Sequence, residues 1–216
     1  TTGRPAFLLG THYEGSRAAY FPVAMAVKTP LATIGLLLFA SASLCLARIR
    51  SKVAVRLSFR GWAFVCLIVP ATGYFVIAMN AGVNIGLRHI FPVYAPLFCI
   101  AGLTVAALTA GRPKAIVIGT LILVIGLLGI ESLSSYPDFL AFFNQAAGGS
   151  RGGRAILADS NLDWGQDIKP LARWRASHPK GELYLSCWAN ADPAYYGIDY
   201  TAVTGNSVYG LSLIHI

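Results

Sequence analysis

Arg88 and His89 stand side by side in "NIGLRHIFPVYAP", where a polar loop gives way to a long apolar run. Charge beside lipid is costly, so ionisable groups at such an edge point to function. An arginine offers a planar fork of N–H donors that matches phosphate oxygens, and a histidine adds a donor or a proton switch. The pair reads as a clamp for the phosphate of a lipid-linked substrate. The plainer reading is an interfacial anchor, with the arginine reaching head groups while its stem packs on apolar neighbours. Lys28, in "AYFPVAMAVKTP", is a second positive charge near the same lipid phosphate, or the head-group-facing lysine of an interfacial helix.

A second group lies in "DSNLDWGQD", residues 159–167. Asp159, Asn161 and Asp163 alternate as in a calcium loop, but Trp164 and Pro170 occupy the places where that loop needs glycine and glutamate. Carboxylates and amides also suit sugar hydroxyls, and an indole stacks on a sugar face. Asp159, Asn161, Asp163 and Trp164 are therefore a candidate loop for substrate or acceptor. The plainer reading is an Asx-turn with Asp163 or Asp167 capping the helix that follows. "GGSRGG", residues 148–153, lacks the Lys-Ser/Thr ending of a phosphate loop and precedes a strand instead of following one, so it reads as a flexible turn. His12 and Glu14 read as surface-loop residues. Cys45, Cys66 and Cys99 sit in apolar runs, Cys187 stands alone in the polar part, and no spacing suggests a metal site.

The elements that must position these residues follow from the hydropathy. The chain of 216 residues is 56% hydrophobic and 12% charged, about half the charged fraction of a soluble domain. Residues 1–130 hold one acidic residue against eleven Lys and Arg, whereas 131–216 hold eight acidic and six basic residues. This is a basic edge on an apolar body and excludes a nucleic-acid footprint. Four runs, Pro30–Ala47, Gly61–Met79, Ile90–Ala110 and Ala115–Leu133, are apolar all round and near the length of a bilayer span. Pro70 and Pro96 predict kinks in the second and third.

Between the runs, "RIRSKVAVRLSFR" (Arg48, Arg50, Lys52, Arg56, Arg60) and "GRPK" (Arg112, Lys114) are basic and acid-free. The positive-inside bias makes both cytoplasmic, which puts Asn80–His89, the N-terminal segment and everything after the fourth run outside. The expected fold is an α-helical polytopic membrane protein of four spans followed by a small extracytoplasmic α/β lobe. Its parts are an interfacial segment over 1–29, spans over 30–133 and the lobe over 134–210. In the lobe, "FLAFFNQAAGG" reads as a short amphipathic helix, "RAILAD" as a buried strand and "NLDWGQDIKPLARWRASH" as a loop and helix. "GELYLSCW" reads as a second strand and "DPAYYGI" as a turn or short helix. The chain does not begin with Met, and residues 211–216, "LSLIHI", resemble translated adapter sequence. It therefore reads as an interior or C-terminal piece of a longer protein.

"YFPVAMAVKTPL", "NIGLRHIFPVYAPLF" and "YPDFLAFFNQAAGG…DSNLDWGQDIKPLARW…DPAYYGIDY" together resemble bacterial membrane glycosyltransferases of the family 39 type. These are related to protein O-mannosyltransferases and aminoarabinose transferases, and the resemblance covers residues 11–200. It implies transfer of a sugar from a polyprenyl-phosphate donor to a protein, lipid or glycan acceptor on the outer side of a bacterial inner membrane. No cofactor or metal is implied. It places Arg88, His89 and Lys28 near the donor phosphate, where a fixed cation stabilises the leaving group's growing charge. The family's catalytic base is an Asp in the first outer loop. Residues 1–130 contain no Asp, so the base is expected upstream and the fragment inactive by itself. The alternative is a non-enzymatic membrane protein, a transporter subunit or an anchored ligand-binding module. A transporter more often breaks helices in pairs around mid-membrane polar groups.

Overall fold

All four apolar runs are helices in the computed structural model, which describes residues 5–50, 59–109, 111–185 and 191–203. They are α2 (Leu31–Arg50), α3 (Phe59–Asn80), α4 (Phe91–Thr109) and α5 (Lys114–Leu133). Lys52, Arg56, Cys187 and the 211–216 tail lie outside the described residues. Ahead of the helices, β1 (Pro5–Leu8) and β2 (Thr11–Glu14) form an antiparallel hairpin, followed by α1 (Tyr20–Lys28). Leu9 and Gly10 close the hairpin with φ of 50° and 80°, the positive values that a two-residue turn requires. A 3-10 turn, Leu87–Ile90, runs into α4.

Leu87–Ala106 and Lys114–Leu133 are each long and apolar enough to cross a membrane. A third candidate is α1 with Leu31–Ala42, which passes only as a pair bent by 112°. Among the described residues of α3, Val65–Asn80 is a shorter apolar helix. No residue of α5 is buried, and Ile122, Leu123, Ile125 and Ile130 stand exposed along it. A surface this apolar is stable against hydrocarbon and costly against water.

One end of the helix group is tied together. Near the end of α5, Glu131 accepts hydrogen bonds from the main-chain N–H groups of Leu31 (2.8 Å) and Ala32 (3.4 Å), at the start of α2. A carboxylate there satisfies orphan donors and complements the helix dipole. At the end of α3, the carbonyl of Met79 accepts from Ser16 Oγ at 2.8 Å. The approach to α4 is held by the lobe, with Ser160 Oγ donating to the carbonyl of Ile85 and the N–H of Leu87 donating to Asn161 Oδ1 at 3.1 Å. The start of α2, end of α3, start of α4 and end of α5 thus share one end. Arg112, in the turn from α4 to α5, and Lys114, the first residue of α5, lie at the other.

The main core joins the two parts. Leu8 of the hairpin, Tyr20, Phe21 and Ala24 of α1, Ile90 and Val93 at the start of α4, and Phe143 and Leu157 of the lobe are buried together. Ile168, Leu171, Leu185 and Ile198 form a smaller cluster inside the lobe.

The lobe differs from expectation in four places. "FLAFFNQAAGG" forms two 3-10 turns, Phe139–Ala141 and Gln145–Ala147, and not one helix. Asn144 separates them because its amide turns inward. Its Nδ2 donates to the carbonyls of Ala26 (2.7 Å) and Thr29 (2.9 Å), its N–H donates to Val27 (2.9 Å), and its Oδ1 caps the second turn at Ala147. "RAILAD" is not a strand. Among the described residues it makes only a single bridge, Leu157 to Leu8. "GGSRGG" is not a loose turn but a helical one, α6 (Gly149–Gly153). Two of its glycines are there for space: a Cβ on Gly153 would enter the Phe143 ring, and one on Gly152 would meet the carbonyl of Ala147. The helix after the aspartate loop is present as α7 (Ile168–Ser177), and Pro193–Tyr196 is a 3-10 turn capped by Asp192. The sheet is smaller than read, with β3 (Tyr184–Leu185) pairing in parallel with β4 (Thr201–Ala202).

Candidate functional site: a cationic apolar cavity

Where the lobe meets the start of α4 there is a cavity of about 760 Å³, within the range of small-molecule sites. Four segments build it. Leu87, Arg88, Phe91, Tyr94, Ala95 and Phe98 come from the 3-10 turn and α4; Phe139, Leu140 and Phe142 come from the lobe's first turn. Ser160, Asn161 and Trp164 come from the aspartate loop, and Lys28 closes α1. The walls are aromatic and aliphatic. Among the described residues the lining contains two cations and no carboxylate.

Lys28 sits at the bend between α1 and α2, ahead of the apolar helices. Its ammonium donates to the carbonyls of Leu140 (2.8 Å) and Asn161 (2.5 Å) and lies 4.5 Å from the centre of the Phe143 ring. An ammonium has three donors, and these two carbonyls take two of them. Burial pushes its pKa down to about 8, because the charged form loses hydration. At neutral pH it is still mostly charged.

Arg88 is held differently. Its guanidinium carbon lies 4.0 Å from the centre of the Trp164 ring, a cation–π contact. The 3-10 turn that carries Arg88 is fixed by Asn161, which is buried, with 1% of its surface exposed. Asn161 Oδ1 accepts from Leu87 N–H at 3.1 Å, and Nδ2 donates to Tyr20 Oη (2.9 Å) and the carbonyl of Ala158 (3.0 Å). Its carbonyl accepts from Lys28. One residue therefore braces both cations, and its own amide is spent on the fold.

The predicted site residues are partly brought together. Lys28, Arg88, Asn161 and Trp164 share the cavity; His89, Asp159 and Asp163 are not in its lining. His89 points its carbonyl to Tyr74 Oη at 2.8 Å. Asp159 takes a left-handed backbone, φ 60°, and its carbonyl accepts the N–H of Leu162 at 2.8 Å. Asp163 Oδ1 accepts from Gly165 N–H at 2.7 Å, the expected Asx-turn. Asp167 occupies the N-cap position of α7 without a side-chain cap bond. Burial first, then Asp163 and Asp138, raise its pKa to about 6. Tyr94, Phe98, Phe139, Leu140 and Phe142 were missed as cavity walls. For α4 the signal is present, since 88, 91, 95 and 98 recur at helical spacing.

Gly86 shows how closely the loop and turn fit. A Cβ there would collide with Ser160 Oγ but stand 3.6 Å from Ser160 Cβ. Gly86→Ala is expected to displace the Arg88 turn and lower the unfolding midpoint in detergent. Adding Ser160→Ala removes the colliding hydroxyl and should recover much of the loss. Additive destabilisation by the two changes would contradict this packing.

No family model matches the chain, and comparisons with curated proteins and with solved structures likewise found no match.

Proposed function

We propose that this chain forms the donor-binding part of a membrane glycosyltransferase that takes sugar from a polyprenyl-phosphate carrier. The observation that carries the reading is the cavity: among the described residues it has two cations, no carboxylate and aromatic walls, where apolar helices meet a polar lobe. Phosphate suits the cations and prenyl carbons suit Phe91, Phe98, Phe139 and Leu140. A free sugar or nucleotide would gain little from such walls. Fixed cations at the phosphate favour departure of the leaving group, whose charge grows in the transition state. Sugar transfer also needs a base, and the described residues of the cavity lining offer no carboxylate.

In this reading the four helices are spans, the basic turns face the cytoplasm and the lobe lies outside a bacterial inner membrane. The shared location of the helix ends and the lobe, opposite Arg112 and Lys114, supports that arrangement. Arg88 and Lys28 are the phosphate ligands; His89 acts at most through the turn it shares with Arg88. The acceptor is a protein, lipid or glycan at the outer face.

The test is equilibrium binding of a short-chain prenyl phosphate to the purified chain in detergent, against the matching prenyl alcohol. The phosphate should bind at least tenfold more tightly. Equal affinity would remove the anion site and leave an apolar crevice.

A pH series sharpens the same test. With a prenyl phosphodiester, whose charge is constant over the range, affinity should fall as pH rises through about 8 and Lys28 loses its proton. The pKa of Lys28 is lowered on folding from its ordinary 10.5, so the folded state holds fewer protons between about 8 and 10.5. Its contribution to stability therefore rises with pH across that window. Binding falling while stability rises cannot be explained by unfolding. A flat binding profile would take Lys28 out of the site.

A further inference from the structure

We infer that Trp164 is a positioning residue of the anion site, so that the aspartate loop belongs to the phosphate end of the cavity and not to a sugar or acceptor surface. This rests on the proposed donor site and assigns one of its parts. Arg88 and Trp164 both line the cavity, and the guanidinium lies against the indole. Among the described residues Arg88 donates no hydrogen bond, although it carries five N–H donors.

The nature of the partner matters. A carboxylate beside Arg88 would hold the side chain but cancel its charge and occupy its fork. An indole face attracts the cation through its quadrupole and offers no lone pair in exchange. The arginine is thereby kept in place with its charge and donors available to an oxyanion.

The loop is built to hold that indole. The main-chain N–H of Trp164 donates to Gln166 Oε1 at 2.6 Å, and Gln166 Nε2 donates back to the carbonyl of Leu162 at 3.0 Å. Asp163 closes the neighbouring turn on Gly165 at 2.7 Å. Asn161 anchors the loop to α1 and to the turn bearing Arg88. Trp164 is half-exposed, so its replacement leaves the buried core intact.

The experiment measures binding of a prenyl phosphate and of the corresponding prenyl phosphosugar to the purified chain in detergent, with unfolding midpoints recorded for every variant. Trp164→Leu should weaken both ligands equally, by about three- to tenfold. Trp164→Phe should restore most of the affinity, because it restores an aromatic face. In an Arg88→Ala background, Trp164→Leu should have no further effect, since its only role is through Arg88. Loss confined to the phosphosugar would make Trp164 a sugar platform and overturn the inference. Unchanged affinity, or equal losses with and without Arg88, would overturn it too. If wild-type protein fails to prefer prenyl phosphate over prenyl alcohol, the donor site itself fails and the inference falls with it.

Discussion

Replacing Arg88 by Ala is expected to weaken prenyl phosphate binding by about ten- to a hundredfold, the worth of roughly 1.5–3 kcal/mol for a charge-assisted hydrogen bond. The guanidinium lines the cavity and is exposed, so its removal leaves no buried group unpaired. Folding should be unaffected and the unfolding midpoint nearly unchanged. Arg88→Lys should recover only part of the affinity, because an ammonium on a flexible stem cannot reproduce the bidentate fork. His89→Ala should cost much less, since His89 is not part of the lining. Binding assays at low and moderate salt check this. Wild-type affinity from well-folded Arg88→Ala protein would make the arginine an interfacial anchor.

The largest effect on stability is expected at Asn144. Its side chain donates to two carbonyls at the end of α1, Ala26 and Thr29, and it is 1% exposed. The last carbonyls of a helix have no partner within it. Here a lobe residue more than a hundred positions away supplies one, which docks the lobe beneath Lys28. Asn144→Ala strands the buried Thr29 carbonyl at about 1–3 kcal/mol and leaves the part-buried Ala26 carbonyl to water, so a loss of roughly 2–3 kcal/mol is expected. Gln145→Ala, next door but exposed, should change stability by less than about 0.5 kcal/mol. Denaturant or thermal unfolding in detergent distinguishes the two. Equal, small effects would mean that the lobe docks by apolar contact alone.

The helices were legible because their signal is local. Each apolar run became a helix within a few residues of its expected ends, since length and uniform hydropathy need no distant partner. Arg88 was legible for the same reason, as a charge at the edge of such a run. The walls from the lobe were not. "FLAFFNQAAGG" has the spacing of an amphipathic helix, and only the three-dimensional position of the α1 end explains why Asn144 turns inward and breaks it. Gly152 and Gly153 read as flexibility, but their neighbours are Ala147 and Phe143, and steric exclusion is the reason for them. Asn161 looked like a ligand-binding amide until its partners, Leu87, Tyr20 and Ala158, accounted for it. Trp164 was read as a stacking face for a sugar, and what lies on it in the structure is Arg88. A pairing across 76 positions leaves no trace in spacing.

Photolabelling with a diazirine-bearing prenyl phosphate tests the central claim most directly. The labelled chain, in detergent or in vesicles, is digested and the modified peptides are identified by mass spectrometry. The cavity account predicts label concentrated in residues 87–98 and 139–142, competed by unlabelled prenyl phosphate and not by prenyl alcohol. Arg88→Ala should reduce it. Because no residue of α5 is buried, a probe that merely dissolves in lipid or detergent would mark that helix most heavily. Label spread along α5, indifferent to competitor and to Arg88, would contradict the site.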